Sequence, residues 1–211
     1  MEFQRARTEE QIASRQEEII NACDVIYCEK GYEAVNFKAV SKMTSISRPA
    51  IYNYYKTKEE VFLDIIKLDF TKYAEEIKAH FDATPKMTKE EICTFLTNIL
   101  KKHEKYFELL AVYIQTIEMN SGLEKLTEFK KALQPSHKIF LDGLNKYFPD
   151  AKEEDKKRFI SHYIIAVHGI FPFTHLSKKQ VQASKIINPD YKKPDFRKIC
   201  FDILMLLMAD L

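Results

Sequence analysis

Between Ala34 and Lys58 the chain carries five basic side chains, Lys38, Lys42, Arg48, Lys56 and Lys58, and no acid. The formal net charge of the whole chain is only +2, so the remaining residues are slightly acidic taken together. Lysine and arginine gathered in one stretch neutralise phosphates, and an arginine fork matches guanine O6 and N7 bidentately. Tyr52 and Tyr54 add hydroxyls suited to phosphate oxygens. The same charges on a solvated helix face would do no chemistry. The choice between the two readings lies with the elements that hold these residues.

Those elements read as helices. With four Gly and seven Pro in 211 residues, the chain lacks the turn formers of an all-β fold, and no alternating strand pattern occurs. Thr8-x-x-Gln11 and Ser14-x-x-Glu17 both fit a capping box for a first helix, which Ile19, Ala22, Cys23, Ile26 and Tyr27 continue and Gly31 ends. Before it, the arm Met1–Arg7 carries Arg5 and Arg7. Asn36 is placed to cap a second helix, Phe37 to Met43. After a tight turn through Thr44, Ser45 and Ile46, Ser47 is placed to cap a third, with Pro49 in its first turn. Val40, Ile46 and Ile51 are spaced to bury these two helices against each other, and Ser41 is small where they approach. Ser45 stands in the turn, where a positive φ would favour Gly. These are the dimensions of a helix-turn-helix, whose last helix enters the major groove by its N-terminal end.

The stretch Ile19 to Phe62 resembles the DNA-binding domain of the TetR family of bacterial repressors. Ala22, Tyr27, Gly31-Tyr32, Ser47, Ile51-Tyr52, Tyr55 and Lys58-Glu59 carry the likeness. The family pattern usually has Gly at the position of Ser45, Ala at that of Ser41 and Phe at that of Tyr55. The resemblance implies that Lys38 reaches a base or a phosphate, that Arg48, Pro49 and Ala50 form the base-reading end of the recognition helix, and that Tyr52, Tyr54 and Lys58 contact phosphates. Ser47, Asn53 and Lys56 complete the candidate DNA-contact set. It also implies an all-α, two-domain organisation, with a helix-turn-helix domain over residues 1–57 and a helical ligand-binding and dimerisation domain over 58–211.

In that second part, helices are expected at about Lys58–Asp82, Lys89–Tyr106, through Leu109–Ile117, Leu123–Tyr147 with a bend near Pro135, around Phe159–Val167, and from Pro194 to the end; His175 to Lys193 reads as irregular. By the family layout, two of the last helices pair with their copies in a homodimer. Phe159, Tyr163, Phe196, Cys200, Ile203 and Leu207 are the candidate interface, although the same stripe would serve packing inside one subunit. Phe70, Phe95, Tyr106, Phe107, Tyr113, Gln115, Met119, His137, Phe140, His162 and Tyr163 are candidate walls of a pocket for a small hydrophobic or amphipathic effector, because few charged residues fall at inward helix positions.

Enzymatic chemistry finds no carrier: the glycines Gly31, Gly122, Gly143 and Gly169 are scattered, and neither a nucleophile elbow nor an H-E-x-x-H motif occurs. His137, His162, His168 and His175 have no Cys or carboxylate at ligand spacing, so no metal and no cofactor is expected. The four cysteines lack C-x-x-C spacing and no signal peptide is evident, which reads as free thiols in a cytoplasmic chain. Phe159 to Ser177 is the longest uncharged run, but its three His, Gly169 and Pro172 favour a core helix over a membrane span. The expected function is a ligand-released repressor of a near-palindromic operator. The alternative is a helical adaptor that binds protein and not DNA, and only a DNA-binding chain would show steep salt dependence on duplex DNA.

Overall fold

The computed structural model describes residues 8–211; the arm with Arg5 and Arg7 lies outside them. Among the described residues every regular element is helical. The chain forms two compact units. One reaches to Leu68 and also takes in Gln115–Ala132; the other holds Asp69–Ile114 and Leu133–Leu211.

In the first unit, α1 (Glu9–Lys30) starts at the earlier of the two capping boxes. Thr8 Oγ1 accepts the Gln11 amide at 3.2 Å and the Gln11 side chain accepts the Thr8 amide at 3.4 Å, which leaves Ser14 inside the helix. Gly31 ends α1 with φ 81°, a backbone conformation that favours glycine, and its N–H reaches the Tyr27 carbonyl at 2.8 Å. After a short 3₁₀ turn, α2 (Phe37–Met43) is capped by Asn36, whose Oδ1 accepts the Ala39 amide at 3.0 Å. α3 (Arg48–Ile51) follows Ser47, which takes the extended backbone of a capping residue but makes no side-chain cap hydrogen bond. Ile19, Cys23, Val40, Ile46 and Ile51 fill the core of this three-helix head.

The unit continues into α4 (Lys58–Ala83). Residues 61–66 at its start are all buried, and Phe62 packs edge-on to Tyr27 at 5.6 Å and against Tyr32 at 4.7 Å. α7 (Ile114–Met119), the turn Asn120–Gly122 and the start of α8 (Leu123–Tyr147) complete it.

The second unit holds α5 (Lys89–Lys102), capped reciprocally by Thr88 and Glu91, then α6 (Glu104–Glu108) and a five-residue π-helical stretch, Leu109–Tyr113. The helix expected to run to Tyr106 breaks at His103, whose φ of −97° and ψ of 30° interrupt the α geometry. α9 (Glu153–Thr174) covers most of the uncharged run and buries Phe159, Ile160, Tyr163, Val167, Ile170 and Phe171. α11 (Phe196–Leu207) buries Cys200 and Leu204 against α5 and α9. No single described helix is long and apolar enough to cross a membrane.

The stretch expected to be irregular contains α10 (Lys178–Ile187). Ser177 Oγ accepts the Gln180 amide at 3.3 Å and the Gln180 side chain accepts the Ser177 amide at 2.8 Å. This capping box starts a helix none of whose residues is buried, and the box itself, Ser177-x-x-Gln180, is the sequence signal for it.

Candidate nucleic-acid interface

The tight turn between α2 and α3 is held from behind by α1. Glu18 accepts the Ser45 backbone N–H on one oxygen and the Ser45 hydroxyl on the other, the latter at 3.1 Å, and Arg15 reaches both Ser45 Oγ and Glu18. Burial opposes the charge of Glu18, yet these hydrogen bonds and Arg15 hold its carboxyl below the ordinary glutamate value. Among the described residues no non-glycine has positive φ, so the expectation of a left-handed turn residue at position 45 is corrected. A serine there suffers no Cβ penalty and gains a hydroxyl that ties the turn to α1. Thr44 Oγ1 closes the turn locally by donating to the Val40 carbonyl at 3.1 Å.

On this support the basic side chains stand outward. Lys38, Lys42, Arg48 and Lys56 are exposed, and none of them takes part in an ion pair among the described residues. Elsewhere lysines are commonly paired, as Lys67 with Asp64 at 2.7 Å and Lys102 with Glu76 at 2.7 Å. Pro49 and Asn53 are exposed too, while Ser47, Ala50 and Tyr54 are half-buried. Tyr52 is 49 % exposed, with its ring edge-on to Phe37 at 5.2 Å. The contact packs part of the ring, so Tyr52 is neither a core aromatic nor a free one. Lys58 stands apart: its Nζ lies 4.1 Å from the Tyr32 ring centroid and donates to the Tyr32 carbonyl at 3.2 Å.

A partly buried polar cluster, not expected from the sequence, gathers around Tyr55 and Asp64. Tyr55, 1 % exposed, donates its hydroxyl to Asp64 at 2.7 Å. Asp64 accepts Lys67 at 2.7 Å and Lys125 at 2.9 Å, and Glu128 pairs with both lysines. The tyrosine at a position where phenylalanine is usual thus has its extra hydroxyl satisfied. Burial pushes the Asp64 carboxyl up, but hydrogen bonds from Lys125, Lys67 and Tyr55 outweigh it and hold the group below the usual aspartate value. The sequence does carry a mark of this site: Asp64 is the one charged residue in the apolar run Val61–Ile66, and an ionised carboxylate is buried only when paired.

The expected pocket walls fall into separate places. Tyr73, Tyr106, Tyr163, Phe70, Phe107 and Phe140 belong to one aromatic cluster. Tyr73 meets Phe107 at 5.4 Å and Tyr106 at 6.4 Å, Phe70 meets Tyr106 at 5.6 Å, Phe140 meets Tyr163 at 5.0 Å, and the Tyr73 and Tyr163 hydroxyls share a hydrogen bond. Burial pushes both of these phenols well up. Phe95 lies in another cluster, stacked on His80 at 3.8 Å. His137 and His162 are exposed, and Tyr113 is half-buried in the π stretch. Gln115 and Met119 are exposed and belong to the first unit.

Of the expected interface residues, Phe159, Tyr163 and Cys200 are buried within the chain, and Phe196, Ile203 and Leu207 are half-buried. The apolar side chains left outside on these two helices are Ile164, Ile165 and Phe173 of α9 and Leu206 of α11, the last 76 % exposed. The helices are apolar on both faces, so periodicity alone could not say which face turns inward.

Residues 19–65 match the family model described as bacterial regulatory proteins, tetR family, and residues 68–209 match that of the tetracyclin repressor-like C-terminal domain. The chain is similar to the HTH-type transcriptional regulator QacR of Staphylococcus aureus, with 25 % identity over 166 residues, 75 % of this chain and 85 % of the relative. It is also similar to IcaR of Staphylococcus epidermidis, an HTH-type negative transcriptional regulator of a biofilm operon, with 27 % identity over 148 residues, 69 % of this chain and 76 % of that one. Among solved structures, the fatty acid degradation regulator FadR of Bacillus halodurans shares the fold at a TM-score of 0.58, 13 % identity and 98 % coverage of both chains. A TetR/AcrR-family regulator of Thermobifida fusca does so at 0.57 and 18 % identity, covering 93 % of this chain and 97 % of that one.

Proposed function

The chain belongs to the TetR family of bacterial transcriptional regulators, and we propose that it is a homodimeric repressor that holds a near-palindromic operator and leaves it when a small hydrophobic or amphipathic molecule binds. Regulators of this family act by binding DNA and are not enzymes. The observation that carries the reading is the set of outward, unpaired cations on a braced helix-turn-helix: Lys38, Lys42, Arg48 and Lys56.

Arg48, at the first position of α3, is the base reader in this account, with Pro49 and Ala50 leaving room for the groove. Lys38, Tyr52, Asn53, Tyr54 and Lys56 meet phosphates and fix the register. Lys58 keeps its place over Tyr32 and offers its remaining ammonium protons to a phosphate. In a dimer, two such heads enter the major groove about one helical turn, roughly 34 Å, apart. The exposed apolar residues Ile164, Ile165, Phe173 and Leu206 support the dimer. An apolar effector would lodge by displacing rings of the cluster around Tyr73, and it releases DNA only through its differential affinity for the two states.

The test uses a duplex enriched from a random pool by the full chain. Arg48→Ala should cost roughly 1–3 kcal/mol on that duplex and relax preference at a single base step. Lys58→Ala should weaken all duplexes alike and lower the salt slope by about one. A uniform loss for Arg48→Ala across base variants would reduce Arg48 to a phosphate contact. A screen of apolar compounds for release of the same duplex tests the effector; release by polar anions alone would contradict it.

A further inference from the structure

Two segments far apart in sequence end on one buried carboxylate. Glu60, in the first turn of α4, is 6 % exposed. Its Oε2 accepts the Lys56 backbone N–H at 2.8 Å, and its Oε1 accepts the Gly122 backbone N–H at 3.1 Å. Lys56 lies five residues past the end of the recognition helix, after Tyr54 and Tyr55. Gly122 closes the turn between α7 and α8. Thr57 adds a parallel tie: its hydroxyl donates to the Asn120 carbonyl at 3.1 Å and accepts the Glu60 N–H at 3.3 Å.

Gly122 is shaped to this carboxylate. A Cβ built there would lie 3.0 Å from Glu60 Oε1, and the φ of Gly122 is not positive. A side chain at 122 would therefore press the carboxylate aside by a few tenths of an ångström, a matter of space and not of backbone conformation. Bonds from N–H donors to an ionised acceptor are the stronger kind, and two of them on the two oxygens of one side chain fix both donors to each other.

We propose that Glu60 is a positioning residue, a two-amide latch that makes the place of the 120–122 turn and the place of the chain leaving the recognition helix depend on each other. The covalent chain enters Gln115–Ala132 at residue 114 and leaves it at residue 133, so any strain arriving along those ends pulls on the latched turn. From Glu60, in the first turn of α4, the pull reaches Lys56 and the adjoining Tyr52–Tyr54 contacts. The consequence for regulation rests on the reading of these residues as DNA contacts; the latch itself does not. Glutamine cannot replace the carboxylate, because its NH₂ would face one of the two N–H donors.

The experiment measures amide hydrogen exchange at Lys56 in the full chain, in wild type, Gly122→Ala, Glu60→Gln and the double variant, together with affinity for the enriched duplex. Gly122→Ala touches the far side of the carboxylate. It should speed exchange at Lys56 roughly tenfold, the scale of one lost charge-assisted hydrogen bond. Added to Glu60→Gln, it should change that rate less than about twofold, since coupled sites lose their additivity. Duplex affinity should follow the same non-additive pattern. If Glu60→Gln does not unfold cooperatively, Glu60→Asp takes its place in the cycle; one methylene shorter, it should release one amide and keep the other protected. An unchanged Lys56 rate in Gly122→Ala, or an effect of equal size in both backgrounds, would overturn the latch. Coupled exchange in a chain that binds no duplex would leave the latch standing and refute the DNA reading instead.

Discussion

Replacing Leu206 by Glu should turn the proposed dimer into monomers and, with it, remove tight operator binding, while the single chain keeps its fold. Leu206 is 76 % exposed on α11, so a carboxylate there costs the single chain little. In a dimer that covers this face, the same carboxylate is buried without a partner. The dissociation constant should rise by a hundredfold or more, which corresponds to about 3 kcal/mol. Ile165→Glu on α9, 69 % exposed, should act the same way. Ile203 and Leu207 are poorer probes, because both are half-buried and a charge there disturbs the subunit as well. Sedimentation at low micromolar concentration decides the matter: a Leu206→Glu variant that stays dimeric would remove this face from the interface. Monomers that still bind the enriched duplex at wild-type affinity would contradict the two-headed grip.

The second large effect is on stability. Asp64→Asn should destabilise the chain by roughly 2–3 kcal/mol at neutral pH, because it removes the buried carboxylate that Tyr55, Lys67 and Lys125 share and leaves the two lysines only the exposed Glu128. The figure lies below the usual cost of breaking a buried pair because both lysines keep some contact with water. The pH dependence has a definite sign. The folded carboxyl titrates below the ordinary aspartate value of about 3.9, so its contribution is complete above that value. It is lost as pH falls through the lower folded value, where the protonated group resembles the amide. Urea unfolding of the two proteins should therefore show a gap at pH 7 that closes in acid. A gap of the same size at every pH would mean that side-chain shape, not charge, is what matters at position 64.

How much of this was legible in the sequence follows from how local the information is. Helix starts are written in three or four residues: Asn36 caps where its spacing puts it and Thr8 opens the earlier of two possible boxes, whereas Ser47 holds a cap's backbone without its side-chain bond. The helix-turn-helix is similarly local, since Val40, Ile46 and Ile51 lie within a dozen residues and are all buried. Position 45 was misread because its solution is distant: Glu18 and Arg15 supply what a glycine's freedom would otherwise supply. The same holds for Glu60, whose second partner is Gly122, 62 residues away. For the expected pocket and interface, aromatic and aliphatic residues at helical spacing look alike whether they pack inward, line a cavity or face a second copy. Tyr163 stood in both expected sets and is buried against Tyr73, Phe140 and Phe159. Conversely Ile165 and Leu206 stood in neither and are exposed. The helix α10 shows the other side: its start is written locally in the box Ser177-x-x-Gln180, although none of its residues is buried.

The central claim is that the basic, acid-free stretch from Lys38 to Lys58 reads duplex DNA. It is tested most directly by selecting duplexes from a random pool with the full chain and titrating the enriched duplex over a range of salt. The account predicts two related half-sites in inverted orientation, with centres about 10 base pairs or a multiple of that apart. It also predicts an affinity at least about 10³-fold above that for random duplex and a log–log salt slope of about −5 or steeper. A pool that shows no enrichment, with binding that does not change with salt, would contradict it.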